Sequence, residues 1–260
     1  MSAALGGIAD ELARARRVLF VTGAGISADS GLPTYRGVGG LYNDGATEDG
    51  LSIEDALSGD CLAIRPEITW KYLAQIERNC RGAAPNAAHR AIAALERRCE
   101  TVVLTQNIDG LHIRAGSSSV IEIHGTLEER YCARCGAEAD AGDPAVPPRC
   151  ARCGEIVRPR VVLFGEMLPE AALARLYREL AQGFDMVFVI GTTAVFPYIA
   201  EPVVRAARAG VPTVEINPAR TRLSGMVRHY VPERAAEALP EIARLADERR
   251  PPRANDPEME

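Results

Sequence analysis

What most limits the folds open to this chain is a repeated alternation of short apolar runs with longer helical patterns. The runs cover residues 18–21, 102–105, 120–123, 161–164, 186–190 and 213–216. Most of their positions are apolar, as strands buried on both faces require. Helical patterns cover 86–98, 169–182, 197–209 and 232–246. Strands that alternate with helices predict an α/β fold, a Rossmann-like parallel sheet with helices on both faces. A further amphipathic helix is read in the N-terminal MSAALGGIADELARARR, whose acids argue against a secretory signal.

In such a sheet ligands bind at the carboxyl ends of the strands, so the polar motifs should follow strands. They do so here. Gly23-Ala24-Gly25 follows the first run, Gln106-Asn107-Ile108-Asp109 the second and His124-Gly125 the third; Gly191-Thr192-Thr193 and Asn217-Pro218 follow the last two. Gly23, Gly25 and Ala28 have the G-x-G-x-x-A spacing of a dinucleotide turn, yet Ser30-Gly31-Leu32-Pro33 breaks any helix within two turns. A hydride-carrying dehydrogenase would also need an acidic residue ending a second strand, and none is evident. Asn107 and Asp109 have a bland alternative as turn residues and caps. His89 and His112 read as satisfied structural histidines, whereas His124, ending a strand before a glycine, is placed at the ligand edge.

Residues 38–82 and 127–160 do not fit the alternation. They read as a small helical and zinc-binding domain inserted into a larger one made of 1–37, 83–126 and 161–247. The polar, proline-rich 248–260 reads as a disordered tail. Four of the seven cysteines form two C-x-x-C knuckles, Cys132/Cys135 and Cys150/Cys153, with fourteen residues between them. Matched knuckles at this spacing predict a closed structural zinc site rather than a redox pair. Cys61, Cys80 and Cys99 are scattered and read as inert thiols. From 127 to 160 six arginines face six carboxylates, and the whole chain carries a net charge of −5. That balance offers no surface for nucleic acid or an anionic membrane. No apolar run is long enough to span a bilayer, and a cytoplasmic location is expected.

Taken in order, GAGISADSGLPTYR, TQNIDGLH, HG, the two C-x-x-C pairs, VVLFGEMLP, GTTAVFP and EINP closely resemble the sirtuins, NAD-dependent protein lysine deacylases. The resemblance runs from about residue 18 to 246. It implies that NAD is consumed as a co-substrate, with a cleft between the Rossmann-like domain and the small one. It also implies roles. Gly23, Ala24 and Gly25 would hold phosphates, with Ser27 and Ala28 in the same cofactor turn, while Thr34, Tyr35 and Arg36 belong to a mobile cofactor loop. Gln106, Asn107, Ile108 and Asp109 would orient the nicotinamide and its ribose. Gly191, Thr192, Thr193, Asn217 and Ala235 would meet the adenosine end. His124 would act as general base on the ribose hydroxyls after the acyl oxygen has displaced nicotinamide. Nicotinamide, 2′-O-acyl-ADP-ribose and free lysine would be the products. The acylated protein would bind by strand addition between 163–166 and 195–198, touching Val162, Phe164, Gly165, Glu166, Val195 and Phe196. Mono-ADP-ribosyl transfer and NAD sensing are the alternatives.

The sequence departs from one class it resembles. Sirtuins that remove succinyl and malonyl groups carry a Y-x-x-R pattern before a P-N-x-x-H segment. Here Trp70-Lys71 and Pro85-Asn86-Ala87-Ala88-His89 fix the register, and Leu73 and Ile76 stand where Tyr and Arg would be. An apolar pocket should favour acetyl and longer neutral chains over acidic ones.

Overall fold

The computed structural model describes residues 2–34, 47–139 and 147–249. Its first part runs α1 (Ser2–Arg14), β1 (Arg17–Thr22), a 3-10 helix (Ala24–Ser30), α2 (Ile53–Ala56), α3 (Gly59–Ile64) and α4 (Pro66–Gly82). Next come α5 (Ala87–Leu95), β2 (Glu100–Thr105), α6 (Leu111–Arg114), β3 (Val120–Glu122), β4 (Gly125–Cys132) and β5 (Val157–Val161). The last part holds α7 (Glu170–Gln182), β6 (Met186–Ile190), α8 (Pro197–Arg208), β7 (Thr213–Ile216), β8 (His229–Val231) and α9 (Ala235–Arg249).

Six strands form one sheet in the order β3-β2-β1-β6-β7-β8, and every neighbouring pair is parallel. The order reverses between β1 and β6, which opens a crevice at their carboxyl ends. Side chains alternate along β1: Val18 and Phe20 pack with α1, α5 and α9 on one face, Leu19 and Val21 with α7 and α8 on the other. Phe20 stacks on Phe188 of β6 at 5.0 Å. Both faces are therefore covered, which is why most positions in these strands are apolar.

Two features differ from the sequence reading. The apolar run 161–164 is not a strand of the main sheet. Only its first residue is in a strand, β5, which pairs antiparallel with β4 in a separate two-stranded sheet. Its apolar side chains instead serve a second core, where Val161 and Leu163 join Ala56, Leu57, Trp70, Leu73 and Leu127. Both insertions contribute to that core. The other difference is two strands with no counterpart among the apolar runs, β4 and the edge strand β8; β8 has three residues, two of them half-exposed.

Gly125 determines how the small sheet leaves the large one. Its φ is 76°, and a Cβ there would lie 1.8 Å from the carbonyl oxygen of Arg160. Gly125→Ala should therefore separate β4 from β5 at their first pair, Gly125 with Val161. The backbone strain alone costs about 1–3 kcal/mol. A thermal melt should show a clear loss of stability, and an unchanged midpoint would contradict this geometry.

Of the tail, 248 and 249 complete α9, and 250–260 lie outside the described residues. No helix among the described residues is long and apolar enough to cross a membrane.

Candidate active site

The turns after β1 and β6 meet backbone to backbone. Gly23 donates its N–H to Ile190 (3.1 Å), and Gly25 donates to the carbonyl of Gly191 (2.8 Å). A Cβ on Gly25 would fall 2.6 Å from the Gly191 Cα, so this approach tolerates no side chain. The chain then makes only a 3-10 helix, ended by Gly31 at φ 82°, whose N–H bonds to Ala28. Ser30-Gly31-Leu32-Pro33 thus ends the helix as its residue types predict. Thr34 is half-buried just beyond it, while Tyr35 and Arg36 lie outside the described residues.

Behind this turn sits a buried polar knot. Ser27 donates its hydroxyl to Asp109 (2.7 Å). Asn107 donates its side-chain amide to Ser27 Oγ (3.1 Å) and to the Gly23 carbonyl (3.2 Å). Asp109 also accepts the Leu111 N–H (3.0 Å). Burial pushes the Asp109 carboxyl above its usual range, although the bonds from Leu111 and Ser27 act in the other direction. Asn107 and Asp109 are therefore more than turn caps. They tie the second loop to the first at the rim of a pocket also lined by Ala24, Pro33, Ile76 and Ile108.

His124 stands beside this knot. Its Nδ1 is 3.0 Å from the Gln106 carbonyl, which can only accept, so in the neutral ring Nδ1 carries the proton. Nε2 keeps its lone pair and lies 2.8 Å from the hydroxyl of Tyr198, which donates to it. Burial lowers the imidazole pKa; the bond to Gln106 acts in the opposite sense. A neutral ring with one basic nitrogen is the form that a general base requires. Tyr198 ends the 195–198 segment read from the sequence as a substrate edge, but nothing local signals its contact with His124.

The adenosine-end candidates converge only in part. Gln106 donates to Thr192 Oγ1 (2.8 Å), and Asn217 donates to the Thr192 carbonyl (3.2 Å). Thr193 is exposed beside them. Ala235 opens α9 with its methyl buried in the core under the sheet. His89 and His112 are buried and touch edge to face at 4.8 Å. His112 Nε2 meets Thr22 Oγ1 (3.0 Å) and His89 Nδ1 accepts the Asn86 N–H, yet His89 Nε2 and His112 Nδ1 have no partner among the described residues. Burial holds their pKa values at about 4 and about 3, so both rings are neutral.

Of the two acyl-pocket positions, Ile76 lines the pocket, and Leu73 is packed in the second core at 2% exposure. Main-chain groups in 163–166 are already engaged. Phe164 donates to Leu57 and accepts from Gly59 (both 3.0 Å), and Glu166 donates to the Leu163 carbonyl (3.1 Å). The Glu166 carboxylate is forked onto Arg158 (2.5 and 2.8 Å) and accepts the Leu163 N–H (2.8 Å), so its side chain braces this turn. Val162, Phe164 and Phe196 are half-buried, while Gly165 and Val195 are exposed.

The sulfur atoms of Cys132, Cys135, Cys150 and Cys153 all lie within 4.8 Å of one another. Cys132 to Cys153 is 3.4 Å and Cys135 to Cys150 is 3.8 Å. A tetrahedral zinc ion with bonds of about 2.3 Å would set its sulfurs about 3.8 Å apart, so the four thiolates fit it. Among the remaining cysteines, burial pushes Cys80 up to about 12, leaving it a thiol.

Residues 23–197 match the Sir2 family. The chain is 54% identical over 242 residues to the NAD-dependent protein deacylase 2 of Pseudomonas aeruginosa, covering 90% of this chain and 94% of that one. Among solved structures it resembles a Sir2 homolog–NAD complex, with a TM-score of 0.84, 35% identity and 93% of each chain covered. It also resembles a Sir2–p53 peptide–NAD+ complex, with a TM-score of 0.77, 32% identity and coverage of 92% of this chain and 95% of the other. With its motifs on the matching strand ends and a family match over more than half its length, this chain belongs to the Sir2 family.

Proposed function

We propose that this protein is an NAD-dependent protein lysine deacylase that transfers the acyl group to ADP-ribose. The observation that carries the reading is the gathering of Asn107, Asp109 and a neutral His124 at the crevice between β1 and β6. In the glycine turn at 23–25 the Gly23 and Gly25 N–H groups are given to Ile190 and Gly191, so a dinucleotide's phosphates would meet the Ala24 N–H beside Ser27 and Ala28. Gln106, Asn107, Ile108 and Asp109 would orient the nicotinamide end, with Thr34, Tyr35 and Arg36 closing over it. Gly191, Thr192, Thr193, Asn217 and Ala235 would take the adenosine end. Bound NAD supplies an activated ribose; this chain's residues hold it, exclude water and remove a proton at His124 Nε2. The zinc would be structural, since four thiolates leave no open position.

The protein substrate would run between 163–166 and 195–198, and the exposure of Gly165 and Val195 supports that path. With Phe164 paired to Leu57 and Gly59 and Leu163 paired to Glu166, the peptide would pair at Gly165. Acyl-lysine peptides incubated with NAD should release nicotinamide only when both are present. No release with any acyl peptide, or label appearing on protein instead of ADP-ribose ester, would overturn the reading.

Acyl choice should follow the apolar wall at Ile76. A charged hydrogen bond is worth about 1.5–3 kcal/mol, and a buried carboxylate without its partner costs more. Acetyl peptide should therefore exceed succinyl peptide in kcat/KM by at least about tenfold. Ile76→Arg, which places a cation in the pocket lining, should narrow that gap. A wild-type preference for succinyl would show that the pocket is misassigned.

A further inference from the structure

The family reading needs a base that faces a ribose hydroxyl, but here the basic nitrogen of His124 is already occupied. Gln106 fixes Nδ1 as the protonated nitrogen, so the one lone pair on Nε2 is used by the Tyr198 hydroxyl at 2.8 Å. Nor is the contact a casual one. Tyr198 sits in the first turn of α8, which opens with Pro197 after the Phe196 cap. Its ring stacks on Phe196 (5.5 Å, 12°), and both rings meet the His124 imidazole edge-on at 85°. The loop that delivers these rings contains Ala194 at φ 49°, the one non-glycine with left-handed backbone among the described residues. Such strain persists where the surroundings require one geometry. The Ala194 N–H is held by Thr192 Oγ1 (3.1 Å) within the same loop.

A phenol has one proton and two lone pairs. The proton is committed to Nε2, and a substrate hydroxyl can donate to the oxygen. We propose that Tyr198 is a proton-relay residue: the hydroxyl that reacts gives its proton to Tyr198 Oη while the phenol's own proton passes to His124 Nε2. The phenol ends as it began, the imidazole becomes imidazolium with Nδ1–H still on Gln106, and no electrons change hands. This rests on the deacylase reading, in which His124 removes a ribose proton after nicotinamide has left.

The relay predicts a division between two half-reactions. Nicotinamide exchange into NAD, driven by acetyl peptide, precedes the proton transfer and should fall far less in Tyr198→Phe than product formation does. Formation of the acyl-ADP-ribose product, measured in a single turnover, should fall by about 10–100-fold, a part of what general-base catalysis contributes. In the unaltered enzyme, the product-forming rate in mixtures of H2O and D2O should bow downward, as two moving protons require. A product rate in Tyr198→Phe that equals or exceeds wild type would make the tyrosine a mere plug and overturn the relay. So would a linear isotope plot in the wild type, which needs no variant and decides the case if Tyr198→Phe fails to fold. Wild-type protein that shows neither exchange nor deacylation would instead overturn the deacylase reading itself.

Discussion

His124→Ala should lower deacylation by about 10²–10⁴-fold while NAD still binds, the loss expected when a positioned general base is removed. The imidazole is suited to that task by two features that the alanine lacks. Its Nδ1–H is pinned on the Gln106 carbonyl, so the tautomer does not have to be selected at the moment of reaction. Burial lowers its pKa below the ordinary value of 6.5, so at neutral pH the ring is already the free base. A depressed pKa keeps the base available as pH falls through 6.5, and the acid limb of kcat/KM should lie below that value in the wild type. Alanine at this position packs less against Phe196 and Tyr198, but His124 is only half-buried, so the fold should survive. A folded His124→Ala protein that turns over at the wild-type rate would refute the assignment.

The second large effect concerns the four cysteines. Removing any one of Cys132, Cys135, Cys150 or Cys153 should cost zinc and solubility together. The apolar cluster around them is small: Cys132, Cys150 and Val157, with Ala137 and Ala139 packed beside. Structural zinc supplies about 10–16 kcal/mol in zinc-finger peptides, comparable to the whole net stability of a typical domain at about 5–15 kcal/mol. Without the metal this end of β4 and β5 has little to hold it. The damage should spread, because the other end of the same two strands carries Leu127 and Val161 into the second core. Metal analysis should find one zinc per chain, and a strong chelator should reproduce the cysteine variants. Active, soluble protein without zinc would exclude a structural role.

Several elements are legible in the residues alone. The runs 186–190 and 213–216 match β6 and β7 residue for residue; in β6, buried on both faces, every position is apolar and the run ends with the strand. The knuckles are legible for a different reason, since two thiolates three apart can face one ion only from a tight turn. The run 161–164 misleads because apolarity reports burial but not the partner that provides it. That choice lies with Gly125, whose left-handed turn lays β4 beside β5 and away from the main sheet. Strand β8 leaves too faint a signal, with only Val231 of its three residues buried.

Local sequence is enough for most strands of the main sheet, the polar loops at their ends and the four metal ligands, and the motifs taken in order give the family. Folding in three dimensions settles which groups meet across long separations. Ser27 reaches Asp109 over 82 residues, and Tyr198 reaches His124 over 74. Leu73 is buried in the second core, while Ile76, on the same helix, packs at the edge of that core and also lines the pocket. No local pattern carries such pairings, because they depend on how the sheet brings its carboxyl edges together and on which helix is laid across them. Hydrophobic periodicity states that a residue is buried; the packing of distant elements decides against what.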